Sequence, residues 1–427
     1  MVLPADLDGW LAYVERQHPQ SIALGLERVG SVRDALGLAP PCPIFVVGGT
    51  NGKGSVCAML EAILRAGGFR VGSYTSPHLL RYNERVRLDG READDAALVE
   101  AFRTVERARV ERAGGPPLTY FEFGTLAAWV LFTAARPDAL VLEVGLGGRL
   151  DAVNAFEPDC AVLTSVDLDH AEYLGDTRER IGWEKAHIFR AGKPAIVGDP
   201  APPQSVLDHA RAIGADLQLF GRDFGCAIEP RQWLYWGRAG RRAGLAHPAL
   251  RGAKQVANAA TAIAALESMR AALPVAAQAV REGLAGVALP GRFQVLPGVP
   301  TVVLDVAHNP AAAGVLAGNL AAMPPAARTL AVVGMLADKD IAGTCARLKD
   351  AVGHWYAASL DVPRGARAAD VAAAIRAAGA VGPVSEHASP RAAYASARGA
   401  ARQSDRIVVF GSFHTVADVL AAATGRA

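Results

Sequence analysis

The 427-residue chain is 51% hydrophobic and 20% charged and carries a formal net charge of +2, which suits a soluble two-domain enzyme and excludes disordered and fibrous classes. No run of five or six like charges occurs, so neither nucleic acid nor a membrane is an expected partner. Cys42, Cys57, Cys160, Cys226 and Cys345 are scattered without CxxC spacing, which predicts reduced thiols in a cytosolic compartment and no zinc site. The start, Met1-Val2-Leu3-Pro4-Ala5-Asp6, has no basic and apolar signal regions, and no membrane-length apolar stretch follows.

From Pro43 onward short apolar runs alternate with helical periodicity, the pattern of a parallel sheet flanked by helices. Ile44 to Val47 reads as the first strand. Val56, Met59, Leu60, Ile63 and Leu64 then recur at helical spacing until Gly67-Gly68 stops them. Val71 to Tyr74 is a second strand, and Thr75 to Gly90, with Pro77 and several arginines, is expected to be a loop. Tyr120 to Ala135 reads as helix, Ala139 to Val144 and Ala161 to Ser165 as strands, and Thr177 to Ala191 as helix. Residues 220–252 carry Trp233, Tyr235 and Trp236 among crowded turns, which predicts a small antiparallel excursion. Val256 to Leu273 is an Ala-rich helix, and another ends near Gly286. Ala288-Leu289-Pro290-Gly291 breaks the pattern, and strands at Thr301 to Leu304, Thr329 to Val333, His354 to Tyr356 and Ile407 to Phe410 restart it. Two domains, 1–288 and 289–427, are expected.

Gly48-Gly49-Thr50-Asn51-Gly52-Lys53-Gly54-Ser55 lies between a strand and a helix, where backbone amides and a helix N-terminus face phosphate and Lys53 adds a point charge. It is a variant P-loop, since Gly54 separates Lys53 from Ser55. Glu143 ends an apolar strand at the sheet's carboxyl edge, where a carboxylate suits Mg2+. The following Gly145-Leu146-Gly147-Gly148 is not a dinucleotide fingerprint, because Leu150 stands where the third glycine would fall. Asp167, Asp169 and His170 follow the next strand and offer oxygen and imidazole donors. Lys185, flanked by Trp183, Ala186 and Ile188, is either a snorkelling surface lysine or a buried, reactive one. In the second half, Asp305-Val306-Ala307-His308-Asn309-Pro310 and Gly411-Ser412-Phe413-His414-Thr415 each follow a strand, so a shared ligand or ordinary helix capping would explain them.

Together these residues resemble the folylpolyglutamate synthase and dihydrofolate synthase branch of the Mur ligase superfamily. The likeness runs through Gly49 to Ser55, Thr75-Ser76-Pro77-His78-Leu79, Phe121-Glu122-Phe123-Gly124-Thr125, Glu143 to Asn154, Asp169-His170, Glu184-Lys185-Ala186, Leu289-Pro290-Gly291-Arg292-Phe293, Asp305 to Pro310, Asp338-Lys339-Asp340 and Gly411 to Thr415. It implies an α/β fold: an N-terminal P-loop ATPase domain with a mostly parallel sheet, hinged to a Rossmann-like C-terminal domain, with catalysis in the cleft between them. It further implies ATP and two Mg2+ ions as cofactors, and dihydropteroate, reduced folates and L-glutamate as substrates of a monomeric enzyme.

By the same resemblance Gly49, Thr50, Asn51, Gly52, Lys53, Gly54 and Ser55 hold the ATP phosphates. Asn258 lies on the adenine side, and Arg292 and Asp305 approach ATP from the linker and second domain. Ser76 and Glu143 bind one Mg2+ and His170 a second, while Lys185 matches a lysine carried as a carbamate. Leu24, Phe121, Asp151 and Ala152 look like the pterin pocket, and His308 and Ser412 like glutamate contacts. Two departures stand out. His187 takes the place of a family glycine and is expected to crowd a metal-proximal helix, and Ser21-Ile22-Ala23-Leu24 differs from the enterobacterial Thr-Ile-Asp-Leu. The implied reaction is carboxylate attack on the γ phosphate of ATP, giving an acyl phosphate that the glutamate amine then opens. A peptidoglycan-precursor ligase and a nucleotide-binding switch are the rivals; the first lacks the Thr75 to Leu79 and Phe121 to Thr125 motifs, and the second leaves the second half unexplained.

Overall fold

The computed structural model describes residues 3–20, 22–39 and 42–425, so Ser21 of the departing run lies outside the described residues. Residues 1–249 and 256–287 form one compact unit, and 250–255 with 288–427 form another.

The first unit is built on eight strands, β1 Ile44–Gly48, β2 Val71–Tyr74, β3 Val86–Leu88, β4 Arg91–Glu92, β5 Ala139–Glu143, β6 Cys160–Leu163, β7 Pro194–Val197 and β8 Asp216–Leu219, in the order β4-β3-β2-β5-β1-β6-β7-β8. From β2 to β8 neighbours run parallel, and only the β3 and β4 edge is antiparallel. Every residue of β1 and β5 is buried, because helices cover both faces of a parallel sheet and leave no solvent side. The chain leaves β1 toward β2 and later returns to its other side at β6. That reversal opens a crevice at the carboxyl end of β1, where open α/β sheets bind ligands. Helix Lys53–Ala66 follows β1 and buries Val56, Met59, Leu60, Ile63 and Leu64, the residues spaced for one apolar face.

The segment after β2 is less of a loop than its arginines suggest. Tyr82–Arg85 forms a short 3-10 turn and β3 pairs back on β2, with Tyr74 opposite Val86. Arg87 hides the strand in the sequence because its charge is buried against Glu61 on helix Lys53–Ala66, at 2.6 Å. The helix expected over Thr177 to Ala191 is only Arg178–Ala186, capped by His187, and the strand expected to reach Ser165 stops at Leu163. The excursion is antiparallel as expected: β9 Gly225–Ile228, β10 Trp233–Gly237 and β11 Gly240–Leu245 form a separate three-stranded sheet.

In the second unit β12 Gln294–Leu296, β13 Thr301–Leu304, β14 Thr329–Val333, β15 His354–Ala358, β16 Val384–His387 and β17 Arg406–Phe410 are ordered β12-β13-β17-β14-β15-β16, with only β12 antiparallel. The last strand slots between β13 and β14, so the loops after all three lie side by side. Among the described residues no helix is long and apolar enough to cross a membrane, and all five cysteines are free.

Candidate functional site

The Gly-rich loop is braced by the neighbouring strand end. Thr50 N donates to Ser165 O at 2.8 Å, Thr164 Oγ1 donates to Asn51 O at 2.7 Å, and Asn51 N donates to Ser165 Oγ at 3.1 Å. Gly49 has φ of +140°, and a Cβ there would overlap Thr164 Oγ1, so only glycine fits against this brace. Gly52, at φ +92°, caps the helix, and a Cβ there would lie 3.0 Å from Asn258 Oδ1. Asn258 therefore stands against the loop. Thr164 and Ser165 escaped the sequence reading, although they are polar residues directly after an apolar strand, the same signal that picked out Glu143.

Two lysines converge on one carbonyl. Lys53 Nζ lies 3.1 Å from Gly49 O and 3.3 Å from Thr50 O, and Lys185 Nζ lies 3.0 Å from the same Gly49 O. Lys185 is only 5% exposed, which settles it as the buried alternative. Burial first, and then the nearby Lys53 charge, lower its pKa to about 7, with Asp169 and Asp151 opposing. A neutral amine at ordinary pH is a nucleophile.

Glu143 is 4% exposed at the end of β5 and its Oε2 accepts from Ser76 N at 3.1 Å. The two residues assigned to one metal are thus brought together. His170 adopts a left-handed φ of +51° at the start of the short helix Ala171–Leu174, its Nε2 3.9 Å from Asp169 Oδ1. Among the described residues no three His, Cys, Asp or Glu side chains gather into a metal cage. The donors are hard oxygens and one imidazole, which fits Mg2+ or Mn2+ bound by a few protein groups together with phosphate and water oxygens.

The residues expected on the pterin side are also neighbours. Asp151 is 3% exposed and accepts from Leu146 N at 2.8 Å and Val153 N at 3.0 Å. Burial raises its pKa to about 6 against those amides. Ala152 opens the turn that follows. Phe121 packs on Gly145, where a Cβ would sit 2.7 Å from its ring. Leu24 is carried past them because Gly25 N donates to Leu150 O at 3.3 Å, while Arg28 grips Ala23 O at 2.7 Å and Glu122 at 2.9 Å. Glu122 in turn caps Thr119 N at 2.7 Å, so one ion pair fixes both the Leu24 loop and the helix turn bearing Phe121.

His187 does not crowd the metal side. Its Nδ1 lies 2.7 Å from Trp183 O, and its ring stacks on His209 at 4.0 Å, on the outer face of the helix whose inner face presents Lys185.

In the second unit Asp305 is partly buried after β13, accepting from Phe293 N at 3.0 Å and Ala307 N at 2.8 Å. Burial raises its pKa, with Arg292 opposing. The Arg292 guanidinium lies 4.9 Å over Phe413, and His308 faces the same ring at 6.5 Å. Ser412 caps helix Phe413–Thr424 through Thr415 N at 3.0 Å, and Gly411 N donates to Ala307 O at 3.0 Å. The two turns are therefore adjacent. Helix capping explains Ser412 and Asn309 structurally, while Arg292 and His308 lie partly buried at the carboxyl edge.

Two family models match this chain: the Mur ligase middle domain over residues 47–200 and the Mur ligase glutamate ligase domain over 291–413. The chain is 47% identical to the dihydrofolate synthase/folylpolyglutamate synthase of Escherichia coli K12 across 97% of its own length and 94% of that protein. The E. coli structure solved with DHPP and ADP superposes at a TM-score of 0.93 with 45% identity, covering 100% of this chain and 99% of that one. A bifunctional folylpolyglutamate synthase/dihydrofolate synthase with Mn, AMPPNP and L-glutamate bound superposes at 0.90 with 45% identity, covering 99% and 100%. The chain belongs to the dihydrofolate synthase/folylpolyglutamate synthase family of Mur ligases.

Proposed function

We infer that this chain joins L-glutamate to dihydropteroate, and to the γ-carboxylate of reduced folates, at the expense of ATP. The observation that carries this reading is the convergence of Lys53 and Lys185 on the Gly49 carbonyl, beside a loop braced open for phosphate. Residues 1–288 would hold ATP and the pterin, and 289–427 would serve the glutamate.

The carboxylate oxygen of the acid attacks the γ phosphorus, breaking the bond to ADP and forming an acyl phosphate. The glutamate amine then attacks the acyl carbon, loses a proton and expels phosphate. Backbone amides of 49–55 and the Lys53 ammonium oppose the charge gathering on the transferred phosphoryl group, a task of position and field more than covalent chemistry. Phe121, Asp151 and the Leu24 loop orient the acid so that its carboxylate faces that phosphate. Two divalent ions, held through Ser76 and Glu143 and through His170, would supply Lewis-acid charge neutralisation. Lys185, its pKa lowered to about 7, can lose its proton, add CO2 and release a second proton, becoming a carbamate instead of a cation beside Lys53.

Incubation with ATP, Mg2+, glutamate and either dihydropteroate or tetrahydrofolate, read by phosphate release and product mass, tests this function. Phosphate release that needs the pterin acid and yields a product one glutamate heavier is expected. Release without any acid would instead indicate a nucleotide switch.

A further inference from the structure

We propose that Asp199 and Arg178 are a positioning pair for phosphoryl transfer: together they hold both backbone groups of Val166, and with them the loop that braces Thr50 and carries His170. The proposal rests on the function inferred above and adds to it two residues that act through that loop and not on the substrate.

Asp199 lies just after β7 and is 5% exposed. Its Oδ2 accepts from Val166 N at 2.8 Å and its Oδ1 from Ala201 N at 2.9 Å. Arg178, the first residue of helix Arg178–Ala186, donates from Nε to Val166 O at 3.0 Å and from a terminal nitrogen to Ala201 O at 3.0 Å. That nitrogen also lies 3.4 Å from Asp199 Oδ2. One carboxylate therefore takes the N–H of Val166 and of Ala201, and one guanidinium takes the C=O of both. Charge-assisted bonds of this kind are stronger than neutral ones, and the planar fork of an arginine fixes their direction. Backbone groups buried beyond the end of a strand need partners of some sort, so the bonds alone would be ordinary. Where Val166 stands is what gives them a consequence.

Val166 sits between the two residues that grip Thr50 of the Gly-rich loop. Ser165 O accepts from Thr50 N at 2.8 Å, Asp167 N donates to Thr50 Oγ1 at 3.0 Å, and Asp167 O accepts from that hydroxyl at 3.1 Å. A Cβ on Gly198, the neighbour of Asp199, would lie 2.5 Å from Thr261 Oγ1 and 3.1 Å from Thr164 O. The turn after β7 is thus pressed between the brace and helix Gln255–Ser268, which bears Asn258. Arg178 in turn begins the helix that presents Lys185. One ion pair joins the phosphate brace, the His170 loop and the Lys185 helix. The Leu24 loop and the turn bearing Phe121 have a separate fastening, Arg28 to Glu122 at 2.9 Å. Loosening Asp199 and Arg178 should therefore disturb the reacting phosphate and leave the acid's pocket in place, and a displacement of about 1 Å at reacting groups costs on the order of 100-fold in rate.

The test measures kcat, KM for dihydropteroate, and amide hydrogen exchange over residues 164–170 in the nucleotide-free protein, for wild type, Arg178→Ala, Arg178→Lys and Asp199→Asn. Arg178→Ala and Asp199→Asn are each expected to lower kcat by roughly 10- to 100-fold, to keep KM for dihydropteroate within about threefold, and to speed exchange over 164–170 by about 10-fold. Arg178→Lys keeps the charge and should recover part of the loss. The double variant should lose little more than either single one, since one interaction is broken in all three. The Arg178 side chain is 43% exposed, so Arg178→Ala reads the pair without emptying the core, whatever becomes of Asp199→Asn. Unchanged kcat in Arg178→Ala, unchanged exchange, or a loss carried by KM for dihydropteroate each overturns the proposal. A wild type that ligates glutamate to neither acid overturns the underlying function instead.

Discussion

Lys185 reaches the phosphate loop from a helix of nine residues, Arg178–Ala186, and its ammonium shares a carbonyl with a second lysine. Two cations at one oxygen are tolerable only if one is discharged, which is the physical case for a neutral or carbamylated Lys185. Lys185→Ala is expected to lower kcat by at least about 100-fold while nucleotide binding, followed by calorimetry, persists; full turnover would remove the residue from the chemistry. His209 supplies a pH signature on the opposite face. Burial, and then the neighbouring His187, hold its pKa below the ordinary value. As pH falls through about 6.5 the unfolded chain therefore takes up the proton before the folded one, and stability declines. The contribution is complete above that range. Denaturation between pH 7.5 and 5.5 should show His209→Asn losing less stability than wild type, by under about 1 kcal/mol since the ring is partly exposed.

At the scale of elements, the strand-to-helix turn after β1 carries most of the function, and its geometry depends on one missing side chain. Gly49→Ala would place a methyl against Thr164 with the backbone at φ +140°. A stability loss of about 2–4 kcal/mol is expected, with nucleotide affinity reduced at least about 100-fold, read by thermal melting and ATP titration. Gly314, inside helix Pro310–Ala321 with open space around it, is the contrasting position: Gly314→Ala should stabilise by about 0.5–1 kcal/mol. What the sequence made legible follows from the same distinction. The apolar runs of β1, β5 and β14, and the glycines between strand and helix, announce themselves because period and turn chemistry are local. The short strand β3 did not, since Arg87 spoils its alternation and only its partner Glu61, on the helix after β1, reveals why. The Arg28 and Glu122 pair is likewise invisible in sequence, being 94 residues apart. His187 looked threatening because it stands where the family has glycine, and the sequence does not say which face of the helix turns inward.

At the scale of the molecule, two mostly parallel sheets each gather loops at the carboxyl ends of their central strands, one with the Gly-rich loop, Lys53, Lys185 and Glu143, the other with Arg292 and His308 beside adjacent turns. Such a division suits a reaction with three substrates and a water-sensitive intermediate. The central claim is that the acid is activated as an acyl phosphate. It is tested most directly by supplying dihydropteroate with both carboxylate oxygens replaced by 18O, together with ATP, Mg2+ and glutamate, and weighing the phosphate and the amide produced. One labelled oxygen in each phosphate and one in each amide is the expected outcome. Amide formed alongside phosphate free of label, with the departing 18O found in AMP or in water instead, would contradict the account.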